Sequence, residues 1–240
     1  MTQAPALLSQ ILVRIRDSQS RAGRSLVVFD LDSTLFDVSP RTQQIMHDFA
    51  AEAEWRDRYP QTVEILKQLQ IHSTDWGIKT ALIRHGLHTH PVDFHQAVRQ
   101  YWIDRFFTGD YLHCDRPLPG AVAFVQQVES TGARVVYLTG RDLGSMYEAS
   151  KMVLQSHGFP EAELVLKPEK GSDDALFKVD WFGEQKLETY DPIYFFENEP
   201  LNIEPISHRH PRVQIVFVES THSGKGEASD NWPRIRNFTI

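Results

Sequence analysis

Short apolar runs recur along the chain, and each is followed by polar or turn-forming residues. Five such runs are Leu26–Phe29, Val135–Leu138, Leu164–Leu166, Ile193–Phe196 and Val213–Val218. Continuous apolar character, rather than strict alternation, is typical of strands that are buried on both faces of a sheet. Helical patterns lie between most of these runs. The pattern therefore predicts an α/β fold built on a parallel sheet, with ligand-binding residues just after the strands.

The first two predicted strands are too far apart for a simple strand–helix–strand unit. They end near positions 30 and 139, which are 109 positions apart, whereas the whole unit needs only about 30 residues. The intervening stretch has apolar residues at helical spacing, such as Ile45, Met46 and Phe49, and predicts about four helices. We therefore predict an α/β core at 1–40 and 109–240, and a helical insertion at 41–108.

The N-terminal stretch has a helical pattern of its own. Leu8, Ile11 and Ile15 are spaced to form one apolar face, while Arg14 and Arg16 interrupt the run. A signal peptide needs an uninterrupted apolar core before its cleavage site. We interpret this stretch as an amphipathic helix that packs on the core.

Composition excludes several classes of protein. With 41% hydrophobic and 24% charged residues, the chain is an ordinary globular protein and not a disordered or collagen-like one. No segment approaches the ~20 consecutive apolar residues that span a bilayer. The net charge of −7 gives no general attraction to nucleic acid. The single cysteine, Cys114, excludes an internal disulfide. We expect a soluble cytoplasmic protein with no nucleic-acid or membrane partner.

The strongest chemical signal follows the first predicted strand, where Asp30 and Asp32 stand two residues apart. Side chains at this spacing on extended backbone project to the same side. A carboxylate can act as a nucleophile towards phosphorus or carbon if a cation neutralises the charge that gathers around it. The alternative is that the two residues merely cap the following turn. A carboxylate pair is costly to hold together without a cation or substrate, which favours the catalytic interpretation.

The run Asp30-Leu31-Asp32-Ser33-Thr34 resembles the Asp-x-Asp-x-Thr motif of the phosphatases in the haloacid dehalogenase superfamily. The resemblance implies a Rossmann-like core and a helical cap inserted after this motif. It implies that Asp30 is the nucleophile, that Asp32 is the general acid and base, and that the backbone carbonyl of Asp32 helps to bind Mg²⁺. Dehalogenases of the superfamily lack the second aspartate, so Asp32 favours phosphoryl transfer over carbon–halogen cleavage.

The resemblance extends to two further motifs. Thr139 follows the second strand and matches the phosphate-binding Thr or Ser of the family, and Gly140 lets backbone N–H groups approach phosphate oxygens. The family also uses a lysine that contacts both nucleophile and phosphate. Lys178 is the favoured candidate and Lys167 the second, with Lys170 and Lys186 also present nearby.

The fourth motif departs from the family. After the fourth strand the family has paired aspartates, whereas this chain has Glu197 and Asn198. We expect both to bind Mg²⁺ together with Asp30 and Asp32, although the longer Glu197 must be accommodated. The function indicated is a Mg²⁺-dependent phosphatase of a small phosphorylated metabolite. The alternative, suggested by Glu197 and Asn198, is a non-catalytic protein that binds a phosphorylated ligand.

Two groups in the insertion have competing interpretations. Histidines at 85, 88, 90 and 95 could form a metal site, but Gly86 and Pro91 break the helical spacing that paired ligands need, which favours a loop. Aromatic residues could stack on a substrate ring, although aromatics at helical spacing more often form a core. These aromatic residues are Trp55, Trp76, Tyr101 and Trp102.

Overall fold

The protein contains a six-stranded parallel sheet. The structure is a computed structural model that describes residues 4–87 and 92–240. The strands of the chain are β1 (Leu26–Phe29), β2 (Phe36–Asp37), β3 (Arg116–Pro117), β4 (Arg134–Asp142), β5 (Glu163–Lys167), β6 (Ile193–Glu197), β7 (Val213–Val218) and β8 (Arg234–Ile235). The main sheet has the order β5-β4-β1-β6-β7-β8, with every pair parallel. All five predicted strands are present, which confirms the α/β, Rossmann-like prediction.

Helices fill the connections between the strands. They are α1 (Ala4–Ser20), α2 (Ser39–Ala51), α3 (Ala53–Arg58), α4 (Pro60–Leu66), α5 (Lys79–Arg84), α6 (Val92–Phe106), α7 (Ala121–Ser130), α8 (Leu143–Ser156), α9 (Asp174–Glu184) and α10 (Pro200–Arg209). Helix α1 buries its apolar face at Leu8, Ile11 and Ile15, as its spacing predicts. Within the described ranges no helix is long and apolar enough to cross a membrane.

The sheet is covered by apolar layers on both faces. Val27 and Phe29 of β1 point into one layer, which also contains Phe124 of α7. Leu26 and Val28 point into the other, which contains Phe182 of α9. This two-sided burial explains why β1 is continuously apolar in sequence. In β1 the first polar side chain, Asp30, therefore follows directly after the strand.

Residues 39–106 form a helical segment with its own hydrophobic cluster. Its described residues contain five α-helices, α2 to α6, where the sequence predicts about four. Its cluster is centred on side chains such as Ile45, Phe49 and Phe94, and it is separate from the two layers on the sheet. The antiparallel pair β2 and β3 lies where the chain leaves and re-enters the core. His88, His90 and Pro91 lie outside the described residues, and within the described ranges there is no cluster of three acidic, histidine or cysteine side chains that could hold a metal.

Candidate active site

The carboxyl ends of the central strands meet at one edge of the sheet. Phe29 of β1 is in register with Tyr137 of β4 and Phe196 of β6. Asp30, which follows Phe29, is therefore level with Glu197 of β6. Thr139 lies one position further along β4 than this level. These residues line a cleft of about 600 Å³ between the sheet edge and the helical segment. The fold thus brings residues that are more than a hundred positions apart in sequence to one cleft.

Asp30, Lys178 and Glu197 form a buried cluster at the bottom of this cleft. Lys178, on the buried face of α9, donates from Nζ to Asp30 Oδ1 at 2.7 Å and also to Glu197 Oε2. All three side chains are almost inaccessible to solvent. Two carboxylates therefore share one ammonium group, which leaves the cluster one negative charge in excess when both acids are ionised.

This charge imbalance is reflected in the pKa values of the cluster. Burial and the nearby charge of Glu197 raise the pKa of Asp30 to about 7, although Lys178 opposes the shift. Burial on its own disfavours the ammonium form of Lys178, but Asp30 and Glu197 outweigh it and hold the pKa of Lys178 above its usual range. The cluster therefore favours the ammonium form of Lys178 and disfavours the ionised form of Asp30.

The competing lysine has different partners. Lys167, at the end of β5, donates to Asp174 Oδ1 at 2.6 Å and to the Ser172 carbonyl at 3.2 Å. Of the two favoured candidates, only Lys178 makes a hydrogen bond to Asp30. The sequence could rank these lysines but could not place them, because the α9 helix carries Lys178 back over the strand ends.

Thr139 and Gly140 lie beside this cluster in β4. Thr139 is buried, and its Oγ1 accepts a hydrogen bond from the Arg141 N–H at 3.3 Å. A Cβ at Gly140 would lie 2.6 Å from Asp174 Oδ2, so a larger residue would displace the Asp174 side chain, which binds Lys167. The glycine therefore leaves room for this side chain at the start of α9.

Asp32 lies in a network of ion pairs that sequence reasoning missed. Its Oδ1 accepts hydrogen bonds from Arg41 Nη2 and Arg141 Nε, both at 3.0 Å, and from Arg141 Nη2. The same two arginines bind the buried carboxylate of Asp115. Burial opposes ionisation, but Arg141 and Arg41 outweigh it and hold the pKa of Asp32 well below its usual range. Only Oδ2, which accepts a single long contact of 3.4 Å from Arg41, remains lightly bonded.

The network joins the helical segment to the core. Arg41 lies in the first turn of α2, it is fully buried, and its guanidinium carbon lies 4.5 Å from the centre of the Phe106 ring. Arg141 and Asp115 belong to the core. The sequence could not predict this network, because its four charged groups come from the separate positions 32, 41, 115 and 141. Arg141 stands directly after the Thr-Gly pair, but that position does not indicate its partners.

In the fourth motif, both oxygens of the Glu197 carboxylate accept hydrogen bonds from nearby backbone and side-chain groups. Glu197 Oε1 accepts the backbone N–H groups of Asn198 and Glu199 at 2.8 and 2.9 Å. Its Oε2 accepts Lys178 and, at 3.3 Å, Asn202. A carboxylate has about four lone-pair sites. Those of Glu197 are therefore filled by N–H donors in this structure, so Glu197 would have to give up one of these hydrogen bonds to bind a metal.

Other oxygens at the site are suited to a divalent cation. Asp30 Oδ2 receives no hydrogen bond within the described part of the chain, and Asn198 Oδ1 accepts only one, from Thr34 at 2.9 Å. The Asn198 amide N–H donates to the Thr221 carbonyl at 2.7 Å, which turns its oxygen away from that neighbour. Carboxylate, carbonyl and water oxygens are the ligands that Mg²⁺ prefers. These oxygens fit Mg²⁺ in kind, and that of Asp30 is the charged one of the two.

Comparison with known protein families shows to which family the chain belongs. Residues 25–185 match the haloacid dehalogenase-like hydrolases, a span that contains Asp30, Thr139 and Lys178. The chain belongs to this hydrolase family. A comparison with curated proteins finds no match.

Solved structures of the family share the fold of this hydrolase. A predicted phosphoglycolate phosphatase from Haemophilus somnus has a TM-score of 0.52 at 14% identity, covering 90% of this chain and 95% of that chain. A candidate phosphatase from Clostridium difficile also has a TM-score of 0.52, at 11% identity, with the same coverage. A candidate haloacid dehalogenase-like hydrolase from Burkholderia xenovorans has a TM-score of 0.50 at 15% identity, covering 90% of this chain and 94% of that chain. At these identities the likeness shows a common fold.

Proposed function

We propose that this hydrolase cleaves the monoester bond of a small phosphorylated substrate, with Asp30 as the nucleophile. The observation that carries the proposal is the hydrogen bond of 2.7 Å between Lys178 Nζ and Asp30 Oδ1, at the bottom of a cleft that Thr139 also lines. The lysine holds one oxygen of the carboxylate and leaves Oδ2 without a hydrogen bond within the described residues. Membership of a hydrolase family with phosphatase-like neighbours supports the same reaction.

The proposed reaction has two steps. Asp30 Oδ2 attacks phosphorus, the bond from phosphorus to the ester oxygen breaks, and the leaving oxygen takes a proton from Asp32 Oδ2. Water then attacks the phosphoryl group on Asp30 while Asp32 takes up a proton, so that phosphate and the free carboxylate are restored. Lys178 and Thr139 bind phosphoryl oxygens and stabilise the negative charge that develops on them.

The ion pairs of Asp32 limit how it can transfer this proton. The arginines occupy Oδ1, so Oδ2 is the atom that exchanges the proton. Efficient acid–base groups have a pKa near the working pH. A carboxylate held ionised by Arg41 and Arg141 is a weak proton carrier, and we expect substrates with good leaving groups to react fastest.

We propose Asp30, the backbone carbonyl of Asp32 and Asn198 as the groups that hold Mg²⁺. When bound, the ion neutralises negative charge on the carboxylate and the phosphate and brings the two anions together. Glu197 contributes indirectly, because it fixes Lys178 beside Asp30. This assignment differs from the expectation that Glu197 is a direct ligand.

The helical segment at 41–108 is proposed to act as a cap. Thr42, Trp102 and Phe106 of this segment line the cleft together with Asp30 and Lys178. Closure of such a lid over the cleft excludes water from the reacting groups and selects the substrate.

Hydrolysis of p-nitrophenyl phosphate by the purified protein, with and without Mg²⁺, tests this proposal. We expect Mg²⁺-dependent release of phosphate that falls to background in Asp30→Asn and is unchanged in Asp110→Asn, which alters an exposed carboxylate elsewhere. Full activity in Asp30→Asn would refute the mechanism. If phosphate analogues raise the melting temperature but no ester is hydrolysed, the chain is instead a non-catalytic binding protein.

A further inference from the structure

Aromatic side chains of the helical segment face the same cleft as Asp30. Trp76 and Phe107 line it with 53% and 39% of their surface exposed, and Trp102 and Phe106 line it half-buried. At about 600 Å³ the cleft lies within the ~300–1,000 Å³ typical of pockets that hold a complete small molecule. It therefore has room for the part of a substrate that extends beyond its phosphate.

The local structure holds Trp76 in this exposed position. The preceding residue, Asp75, accepts hydrogen bonds from the His72 backbone N–H at 2.8 Å and from Arg84 at 2.7 and 2.9 Å. The following residue, Gly77, has a positive φ of 66°, and a Cβ there would lie 3.7 Å from the Trp102 ring. The loop before Trp76 is thus tied to the body of the segment, and Gly77 lets the chain turn directly after it.

A second aromatic residue of the cleft is also held in place. Trp102 donates from Nε1 to Thr42 Oγ1 at 3.2 Å, and its ring centre lies 4.8 Å from that of Phe106. Phe107 continues the aromatic surface, 5.0 Å from Phe106 and 6.1 Å from Trp102 between ring centres. The Trp102, Phe106 and Phe107 rings form one surface, and Trp76 lines the same cleft with a larger exposed fraction than any of them.

Trp76 and Phe107 are not part of the hydrophobic cluster of the segment, although Trp102 and Phe106 pack against it. Other aromatic residues fill that cluster, among them Phe49, Phe94 and Tyr101. Exposed apolar surface inside a cleft is typical of a ligand site. Tryptophan and phenylalanine rings bind planar rings through stacked or edge-to-face contacts in addition to the area that they bury.

We propose that the substrate is a phosphate monoester that carries an aromatic or heteroaromatic ring, and that this ring stacks on Trp76 and Phe107 while the phosphate lies at Asp30. The proposal rests on the proposed phosphatase function and names the substrate class of that same site. Trp76 and Phe107 are then specificity-determining residues, and neither touches the reacting atoms.

Three esters with matched leaving groups test the proposal: benzyl, cyclohexylmethyl and ethyl phosphate. All three release a primary alcohol, so differences in kcat/KM report on the group beyond the ester oxygen. For the wild-type protein we expect the order benzyl, then cyclohexylmethyl, then ethyl. In Trp76→Ala, kcat/KM for benzyl phosphate should fall by about three- to tenfold, through KM, and by more than for ethyl phosphate.

The control is Ile83→Ala, which removes an exposed apolar side chain of the same helical segment outside the cleft. It should leave all three rates unchanged. Equal losses of kcat/KM for benzyl and ethyl phosphate in Trp76→Ala, or no loss for either, would overturn the proposal. Preference for the cyclohexylmethyl ester over the benzyl ester would show an apolar site that does not recognise aromatic rings, and would also overturn it.

A binding measurement separates this inference from the phosphatase proposal. If wild-type protein hydrolyses none of the esters, the proposed function fails, and calorimetric titration with the same esters then decides the ring site. Tighter binding of benzyl than of ethyl phosphate, with the difference lost in Trp76→Ala, supports the site. Equal binding of the two esters, or binding of neither, refutes it.

Discussion

At the scale of single residues, the site is defined by two buried carboxylates that share one ammonium group. Lys178 contacts both Asp30 and Glu197, but the four donors around Glu197 fix that carboxylate in place. Within the described residues the Asp30 carboxylate accepts a hydrogen bond from Lys178 alone, and the pKa of Asp30 is raised to about 7. Burial of the excess negative charge therefore disfavours the ionised form of Asp30, which is the residue proposed to react.

Because burial disfavours the ionised carboxylate of Asp30, we predict that Asp30→Asn stabilises the protein at alkaline pH. Because the pKa rises from 3.8 to about 7 on folding, the contribution of Asp30 to stability is complete below about pH 4 and is lost as the pH rises through 7. In EDTA at pH 8 we expect the variant to exceed the wild type by roughly 1–3 kcal/mol in free energy of unfolding, with the gain vanishing at pH 4. Urea unfolding at both pH values measures it. A gain that is independent of pH would contradict the charge imbalance.

The neutral side chain of Asn198 predicts weak binding of Mg²⁺. Asn198→Asp adds a second carboxylate to the proposed ligands, and we expect it to lower the Kd for Mg²⁺ by about tenfold or more in calorimetric titration. The substitution also removes the N–H donated to the Thr221 carbonyl, at a cost of about 1 kcal/mol in the free energy of unfolding without metal. Glu199→Gln, which alters a carboxylate bonded to Ser223, is the control. Unchanged affinity in Asn198→Asp would remove Asn198 from the metal site.

At the scale of elements, Arg41 connects helix α2 to the catalytic edge of the sheet. Its guanidinium bonds to Asp32, to Asp115 and, at 3.3 Å, to the carbonyl of Phe106 at the end of α6. One side chain thus joins two helices of the helical segment to two carboxylates of the core. The position of the segment and the environment of Asp32 are therefore linked through the same contacts.

Replacement of Arg41 tests this connection. Arg41→Met leaves Asp115 buried with one arginine fewer, and we expect a loss of about 3–5 kcal/mol in the free energy of unfolding. The matched control is Arg58→Met, because the Arg58–Asp93 pair of the same segment is about half exposed, with side-chain exposures of 53% and 49%. Such a surface pair contributes about 0–1 kcal/mol. Equal effects of the two substitutions on urea unfolding would show that Arg41 is not a structural connection.

The elements also show how far the sequence could be interpreted. The central strands were predictable because burial on both faces makes them continuously apolar, as in β1 and β6. Strands β2, β3 and β8 have two residues each, which is too short for any periodicity. The helical segment has one helix more than expected, since α3 and α5 have only six residues each. Short elements depend on tertiary contacts that local patterns do not record.

At the scale of the whole molecule, the fold collects a site from distant parts of the sequence. The strand-end motifs predicted that Asp30 and Glu197 would lie at one edge of the sheet, and the family resemblance favoured Lys178. The structure places these three residues in direct contact. The role of Glu197 as an anchor for the lysine was not predictable, because it depends on four donors from three different elements and turns. The sequence also could not predict which aromatic residues would pack in the segment and which would face the cleft. Trp55 and Tyr101 pack in or against the cluster of the segment, whereas Trp76 faces the cleft.

The central claim is that Asp30 becomes covalently phosphorylated during turnover, and trapping that species tests it most directly. Turnover of a phosphate ester is stopped with acid, the protein is reduced with borohydride, which converts an aspartyl phosphate to homoserine, and the peptide containing position 30 is analysed by mass spectrometry. We predict homoserine at position 30 in the wild type only when substrate is present, and none in Asp30→Asn. Turnover without modification of Asp30, or modification of another carboxylate such as Asp32 or Glu197 in its place, would contradict the account.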